Sequence, residues 1–72
     1  MTEAALNNLK RIRHEHNETL KDVAEDVGIS LEYYWMIENG KRRLSYELAV
    51  KIAKHYGMSP DDIFLNSGLT MS

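Results

Sequence analysis

The sequence contains one run of three adjacent cations, Lys41, Arg42 and Arg43. Their type and spacing indicate a binding site for anions. They follow Asn39-Gly40, a pair typical of the end of a helix. A basic run just beyond a helix end can bind phosphate groups by charge and by hydrogen bonds. The alternative is a solvated basic loop, but the adjacency of the three charges favours phosphate binding.

The elements that would position this run are two short helices joined by a tight turn. Gly28 can adopt the left-handed conformation that ends a helix, and Ser30 can cap the next helix by accepting a backbone N–H. Only the apolar Ile29 lies between them, so we expect the turn to be fixed to a core. Such a turn holds a second helix, predicted over residues 31–38, at the angle that enters the DNA major groove.

The stretch from residue 19 to residue 42 resembles the phage-repressor-like (Cro/XRE-type) helix-turn-helix family. The resemblance is carried by Gly28-Ile29-Ser30, followed at this distance by Ile37-Glu38-Asn39-Gly40-Lys41-Arg42, and it extends over roughly residues 6–65. It implies an all-α fold, a compact five-helix, lambda-repressor-like DNA-binding domain with the helix-turn-helix at helices 2 and 3. It also implies a sequence-specific transcriptional regulator of a double-stranded DNA operator, with repression as the favoured mode.

The resemblance assigns roles to positions on and around the second of these helices. The base-facing positions are Leu31, Glu32, Trp35 and Met36, and the positions at the DNA backbone are Ser30, Tyr33, Asn39, Lys41, Arg42 and Arg43. Glu32 can only accept a hydrogen bond, which suits the N4 donor of cytosine, whereas Leu31 and Met36 suit thymine methyl groups. Because no Arg, Lys, Asn or Gln is base-facing, we expect apolar and shape-based readout.

The same helix permits a function of another class. Leu31, Tyr33, Trp35 and Met36 would form an exposed apolar surface, which more often marks a protein interface. The net charge of −2 is also unusual for a domain that binds nucleic acid. The alternative function is therefore a protein–protein interaction module, an anti-repressor or assembly factor, on the same scaffold.

Hydrophobic spacing predicts the helices that surround this pair. We expect helix 1 over residues 4–16, helix 2 over 20–27, helix 4 over 46–56 and a fifth helix that begins at Ser59-Pro60. Together they predict one helix-turn-helix domain over residues 1–65 and a polar C-terminal tail over 66–72. Leu20 has two interpretations, because its periodicity places it in the core and the resemblance places it at the DNA.

Further contacts are implied by the resemblance. Arg13 is expected to form a partly buried ion pair with Glu38, which would fix helix 1 to the end of helix 3. Phe64 and Leu65 are candidates for a homodimer interface, although a core role for Phe64 is equally open. Independently of the resemblance, the charge pattern gives helix 2 an acidic outer face that would suit RNA polymerase or a regulatory protein partner, but a solvated face is favoured.

Composition argues against other classes of protein. The 72 residues suit one small domain, and there are no cysteines to form a disulfide or a thiolate metal site. His14, His16 and His55 lack the spacing of metal ligands and are expected at the surface. We recognise no catalytic grouping, cofactor motif, signal peptide or membrane span, so we expect a cytoplasmic protein that is not an enzyme, binds no cofactor and contacts no membrane.

Overall fold

The helices of this chain begin and end close to its predicted capping residues. The computed structural model describes residues 3–65, and within them it contains the helices α1 (Glu3–Glu15), α2 (Leu20–Val27), α3 (Leu31–Glu38), α4 (Tyr46–His55) and α5 (Asp61–Leu65), the last wound as a π-helix. The predicted tail, residues 66–72, and the side chain of Leu65 lie outside this description. No helix within residues 3–65 is long and apolar enough to cross a membrane.

Side-chain caps set the starts of α2, α3 and α4. The Thr19 N–H donates to Asp22 Oδ2 at 2.9 Å, and the Asp22 N–H donates to Thr19 Oγ1 at 3.1 Å. These hydrogen bonds hold the pKa of the Asp22 carboxyl below its ordinary value. The hydroxyls of Ser30 and Ser45 each accept the backbone N–H three residues further on, at 3.0 and 3.1 Å. Each cap satisfies a backbone donor that has no partner inside its own helix.

The turn between α2 and α3 has the predicted conformation. Gly28 has φ +82°, in the left-handed region that favours glycine. The N–H groups of Gly28 and Ile29 both donate to the carbonyl of Ala24, at 2.9 and 3.0 Å. Ile29 is half-buried and packs against the core, so the turn is held from below as its apolar character predicted.

One hydrophobic core positions the helix-turn-helix. α2 packs against α3 and α4, while α1 packs against α3 and α5. Leu20 lies half-buried against the core, in agreement with its periodicity. The buried members of the core come from every helix, namely Leu9, Ile12, Val23, Ala24, Val27, Tyr34, Ile37, Leu48, Ile52, Ala53 and Ile63, with Tyr56 just beyond α4.

Two helices end one residue before their predicted ends. α1 ends at Glu15 rather than at residue 16, because the chain turns at Asn17, whose φ is +54°. The Glu18 N–H then donates to the carbonyl of Arg13 at 3.2 Å, which closes the turn. α4 ends at His55 rather than at residue 56, since Tyr56 has left helical geometry and serves as the C-cap.

Candidate nucleic-acid interface

The two faces of α3 have separate environments. Tyr34 and Ile37 are fully buried in the core on the inner face. On the outer face Leu31 and Trp35 are 44% and 43% exposed. The four predicted base-facing residues, Leu31, Glu32, Trp35 and Met36, together line a shallow depression of about 370 Å³. The structure therefore brings these four side chains onto one surface, although Met36 is half-buried.

The C-terminal end of α3 is fixed to α1 by an ion pair. Arg13 donates from Nε to Glu38 Oε2 at 2.8 Å and from Nη2 to Oε1 at 3.1 Å. Its Nη1 donates to the backbone carbonyl of Glu18 at 3.0 Å. The Glu38 side chain is 1% exposed, so Arg13 neutralises a carboxylate that water does not reach. The hydrogen bond to Glu38 raises the pKa of Arg13, and the pair holds the end of α3 at a defined position.

A tight backbone turn follows α3 and directs the basic run. The Lys41 N–H donates to the carbonyl of Met36 at 2.7 Å, and Gly40 has φ +72°. A Cβ atom added to Gly40 would lie 3.3 Å from Leu6 Cδ1, so α1 packs closely on this turn. The side chain of Asn39 donates from Nδ2 to the carbonyl of Trp35 at 2.9 Å. Asn39 thus caps α3 with its amide nitrogen.

The three cations of the basic run are exposed, but their environments differ. Arg42 places its guanidinium over the ring of Tyr33, with Cζ 5.0 Å from the ring centroid. Tyr33 is itself half-buried against the core, so the stacked guanidinium is held beside α3. Lys41 and Arg43 form no ion pair with any residue of the described range 3–65. Both charges are therefore available to an external anion.

Comparisons with known proteins identify the family to which this chain belongs. A family model described as helix-turn-helix matches residues 9–63. The chain belongs to the Cro/XRE-type helix-turn-helix family. This helix-turn-helix chain is 44% identical over 59 residues to an uncharacterized HTH-type transcriptional regulator of Methanocaldococcus jannaschii, over 82% of this chain and 89% of the relative. A second such regulator, from Archaeoglobus fulgidus, is 35% identical over 57 residues, or 79% of this chain and 80% of the relative. No solved structure gives a significant match.

In this helix-turn-helix protein, two other residues predicted to contact the DNA backbone, Ser30 and Tyr33, also have contacts within the chain. The Ser30 hydroxyl oxygen accepts the Tyr33 N–H at 3.0 Å, which leaves its own proton for an external acceptor. The contact between Tyr33 and Arg42 was not predicted. Tyr33 lies within α3 and Arg42 lies beyond its end, so helical spacing does not relate their positions. Because Tyr33 packs on the core, the predicted apolar surface is reduced to Leu31, Trp35 and Met36.

The predicted dimer residue Phe64 borders a groove that extends to the basic run, because Arg43 also lines it. Phe64 is half-buried against the core and borders an open groove of about 400 Å³ that it shares with Leu44, Tyr46 and Pro60. Tyr46 is 78% exposed, the largest exposed fraction among the large apolar side chains of residues 3–65. The side chain of Leu65 lies outside the described residues.

The prediction that every histidine lies at the surface is wrong for His55. Its side chain is 12% exposed and lies between two carboxylates, with Nε2 2.7 Å from Glu18 Oε2 and Nδ1 2.5 Å from Asp26 Oδ2. No spacing in the sequence indicates these contacts, because Asp26 and Glu18 lie 29 and 37 positions from His55. Among the described residues no group of three potential ligands could hold a metal ion.

Proposed function

We infer that the protein is a DNA-binding transcriptional regulator that places α3 in the major groove of double-stranded DNA. One observation carries the proposal, namely that the exposed outer face of α3 continues directly into the exposed run from Lys41 to Arg43. The opposite face of the same helix is buried in the core, so the outer face is presented rigidly. Family membership and the names of both relatives support the same function. No catalytic activity is part of the proposal.

Sequence readout in this proposal comes from the outer face of α3. Glu32 accepts a hydrogen bond from cytosine N4, while Leu31 and Met36 contact thymine methyl groups. Trp35 adds a large apolar surface whose fit depends on the shape of the groove. Few hydrogen bonds to bases are available, so a substantial part of the selectivity comes from apolar contact and DNA shape.

In this proposal, the residues around the two ends of α3 bind the DNA backbone. Lys41 and Arg43 contact phosphates through their free charges. Arg42, held on Tyr33, contacts a phosphate close to α3 with little loss of side-chain freedom. Ser30 donates its hydroxyl proton to a phosphate at the start of the helix, and Asn39 lies near the backbone at its end.

The size of α3 indicates that two copies act together. An 8-residue helix is about 12 Å long, which spans about four base pairs of DNA. A site of that length is too short to be selective. We therefore propose a homodimer on two half-sites about 34 Å apart, one helical turn of DNA, with Phe64 and Leu65 at the dimer interface. The open groove beside Phe64 supports this assignment.

The test is a titration of labelled DNA from upstream of the protein's own gene, against unrelated competitor DNA and at low and physiological salt. Small regulators of this type often control their own promoter, which makes this fragment the first candidate operator. We expect binding that survives the competitor and weakens with salt. If the protein fails to bind even unrelated DNA at low salt, the proposal is wrong, and the next test is for a protein partner of the outer face of α3.

Variants separate the two kinds of contact. Lys41→Ala and Arg43→Ala should weaken binding to operator and to unrelated DNA alike and each reduce the salt slope by about 1. Glu32→Gln and Met36→Ala should instead change the preference among operator sequences. Lys51→Ala is the matched control, because Lys51 is an exposed lysine of α4 that lies beside Asp26 and away from α3. Equal behaviour of the two kinds of variant would refute the assignment of roles.

A further inference from the structure

His55 connects the two ends of α2 to the end of α4. Its Nε2 is 2.7 Å from Oε2 of Glu18, which lies just before α2, and its Nδ1 is 2.5 Å from Oδ2 of Asp26, in the last turn of α2. His55 lies 37 positions after Glu18 and 29 positions after Asp26 in the chain. One imidazole ring thus contacts both ends of the first helix of the helix-turn-helix.

Only one protonation state of the ring satisfies both contacts. Ionised carboxylates accept hydrogen bonds and cannot donate them. A neutral imidazole has one N–H donor and one nitrogen lone pair, so one of its nitrogens would face a carboxylate oxygen without a proton between them. An imidazolium has two N–H donors and can donate to Glu18 and Asp26 together.

The charges around the ring come from several elements. Glu18 faces the ring from the α1–α2 connection, and Asp26 faces it from α2. Lys51 and Lys54 of α4 line a surface depression together with Asp26 and His55, and their positive charges oppose protonation of the ring. Tyr56 packs edge-on against the ring at a centroid distance of 4.7 Å. Burial lowers the pKa of His55, but the hydrogen bonds to Asp26 and Glu18 outweigh burial, and the pKa is raised from its ordinary value.

We propose that His55 is a proton-dependent positioning residue that, as an imidazolium, holds α2 onto α4 and so stabilises the helix-turn-helix. Loss of the proton removes one of the two contacts and brings a nitrogen lone pair against a carboxylate. Glu18 is 22% exposed and Asp26 is 61% exposed, so water screens the second contact more than the first. The proposal concerns the folded chain and does not depend on DNA binding.

The pH dependence follows from the direction of the shift. Because the pKa of His55 is higher in the folded chain than in the unfolded chain, the stabilisation is complete below the unfolded value, about 6.5. It is lost as the pH rises through the folded value. The protein should therefore become less stable, and α2 less firmly held, between weakly acidic and weakly alkaline pH.

The first test follows the ring proton signals of His55 by NMR across this pH range, in the native protein and in the same protein unfolded in urea. We expect the native signal to titrate at higher pH than the unfolded one. A native signal that titrates at the same or a lower pH overturns the proposal. The measurement uses the unaltered chain, so it does not depend on whether a variant folds.

The second test removes the charge of Asp26 while keeping its shape. In Asp26→Asn a neutral His55 can donate to Glu18 and accept from the new amide, so the fall in urea midpoint between weakly acidic and weakly alkaline pH should shrink. Glu25→Gln is the control, since Glu25 is an exposed carboxylate on the same helix and contacts Lys21 rather than His55. We expect the control to keep the wild-type pH dependence. Equal pH dependence in Asp26→Asn and the control overturns the proposal.

Discussion

Substitution of Arg13 by Met tests how α3 is held in place. Met retains most of the apolar stem of Arg13 but removes the guanidinium that donates to Glu38 at 2.8 and 3.1 Å. The Glu38 carboxylate, 1% exposed, would then be buried without a counter-charge. Breaking a buried pair in this way costs about 3–5 kcal/mol.

That loss is large compared with the total stability expected for this chain. A 72-residue domain has a free energy of unfolding of about 4–11 kcal/mol. For a domain of this size each kcal/mol corresponds to about 4–8 °C in Tm, so Arg13→Met should lower Tm by roughly 12–40 °C. If the free energy of unfolding lies at the lower end of this range, the variant should be largely unfolded at room temperature.

Thermal and urea unfolding, followed by far-UV circular dichroism, would measure this loss. The matched control is Arg11→Met on the same helix, whose ion pair with Glu15 is more than half exposed and should contribute at most about 0.5 kcal/mol. Arg13→Met combined with Glu38→Leu removes the buried charge and should recover most of the stability. If Arg13→Met costs no more than Arg11→Met, the buried pair does not hold α3 and this reasoning is refuted.

Two further predictions concern the ends of α3. Gly40→Ala should lower the free energy of unfolding by about 1–2 kcal/mol, because φ at this position is +72°. Gly40→Asn should lower it less, since Asn tolerates that conformation. Urea unfolding of both variants checks this order, and equal losses would contradict it. Ser30→Ala should cost about 1 kcal/mol by removing the cap on Tyr33 N–H, and Ser30→Gly only a few tenths; an alanine variant as stable as the glycine variant would show that the cap contributes little.

Local patterns predicted the backbone of this protein well. The bounds of α2 and α3 agree with the prediction, because Gly28 and Ser30 act on backbone groups within a few residues of themselves. The buried stripe of α2 likewise follows from helical periodicity alone. The π-helical winding of α5 was not predicted, since no single residue type specifies it.

Side-chain pairs that are distant in sequence were harder to predict. The pair of Arg13 and Glu38 was expected from a family resemblance, and no spacing rule would have identified it. The contacts of His55 span 29 and 37 residues and depend on how α2 and α4 pack. The stacking of Arg42 on Tyr33 depends in the same way on the turn at Gly40. Such contacts are consequences of tertiary packing and have no signature in local sequence.

The division of α3 into a buried face and an exposed face has an evolutionary consequence. Leu31, Glu32 and Trp35 lie on the exposed face, and substitutions at such surface positions usually change stability by no more than about 0.5 kcal/mol. Tyr34, Ile37 and Glu38, which secure the helix, are different residues. In the proposed mode of DNA binding, a few codon changes after a gene duplication would therefore redirect one copy to new promoters while both copies retain the same scaffold.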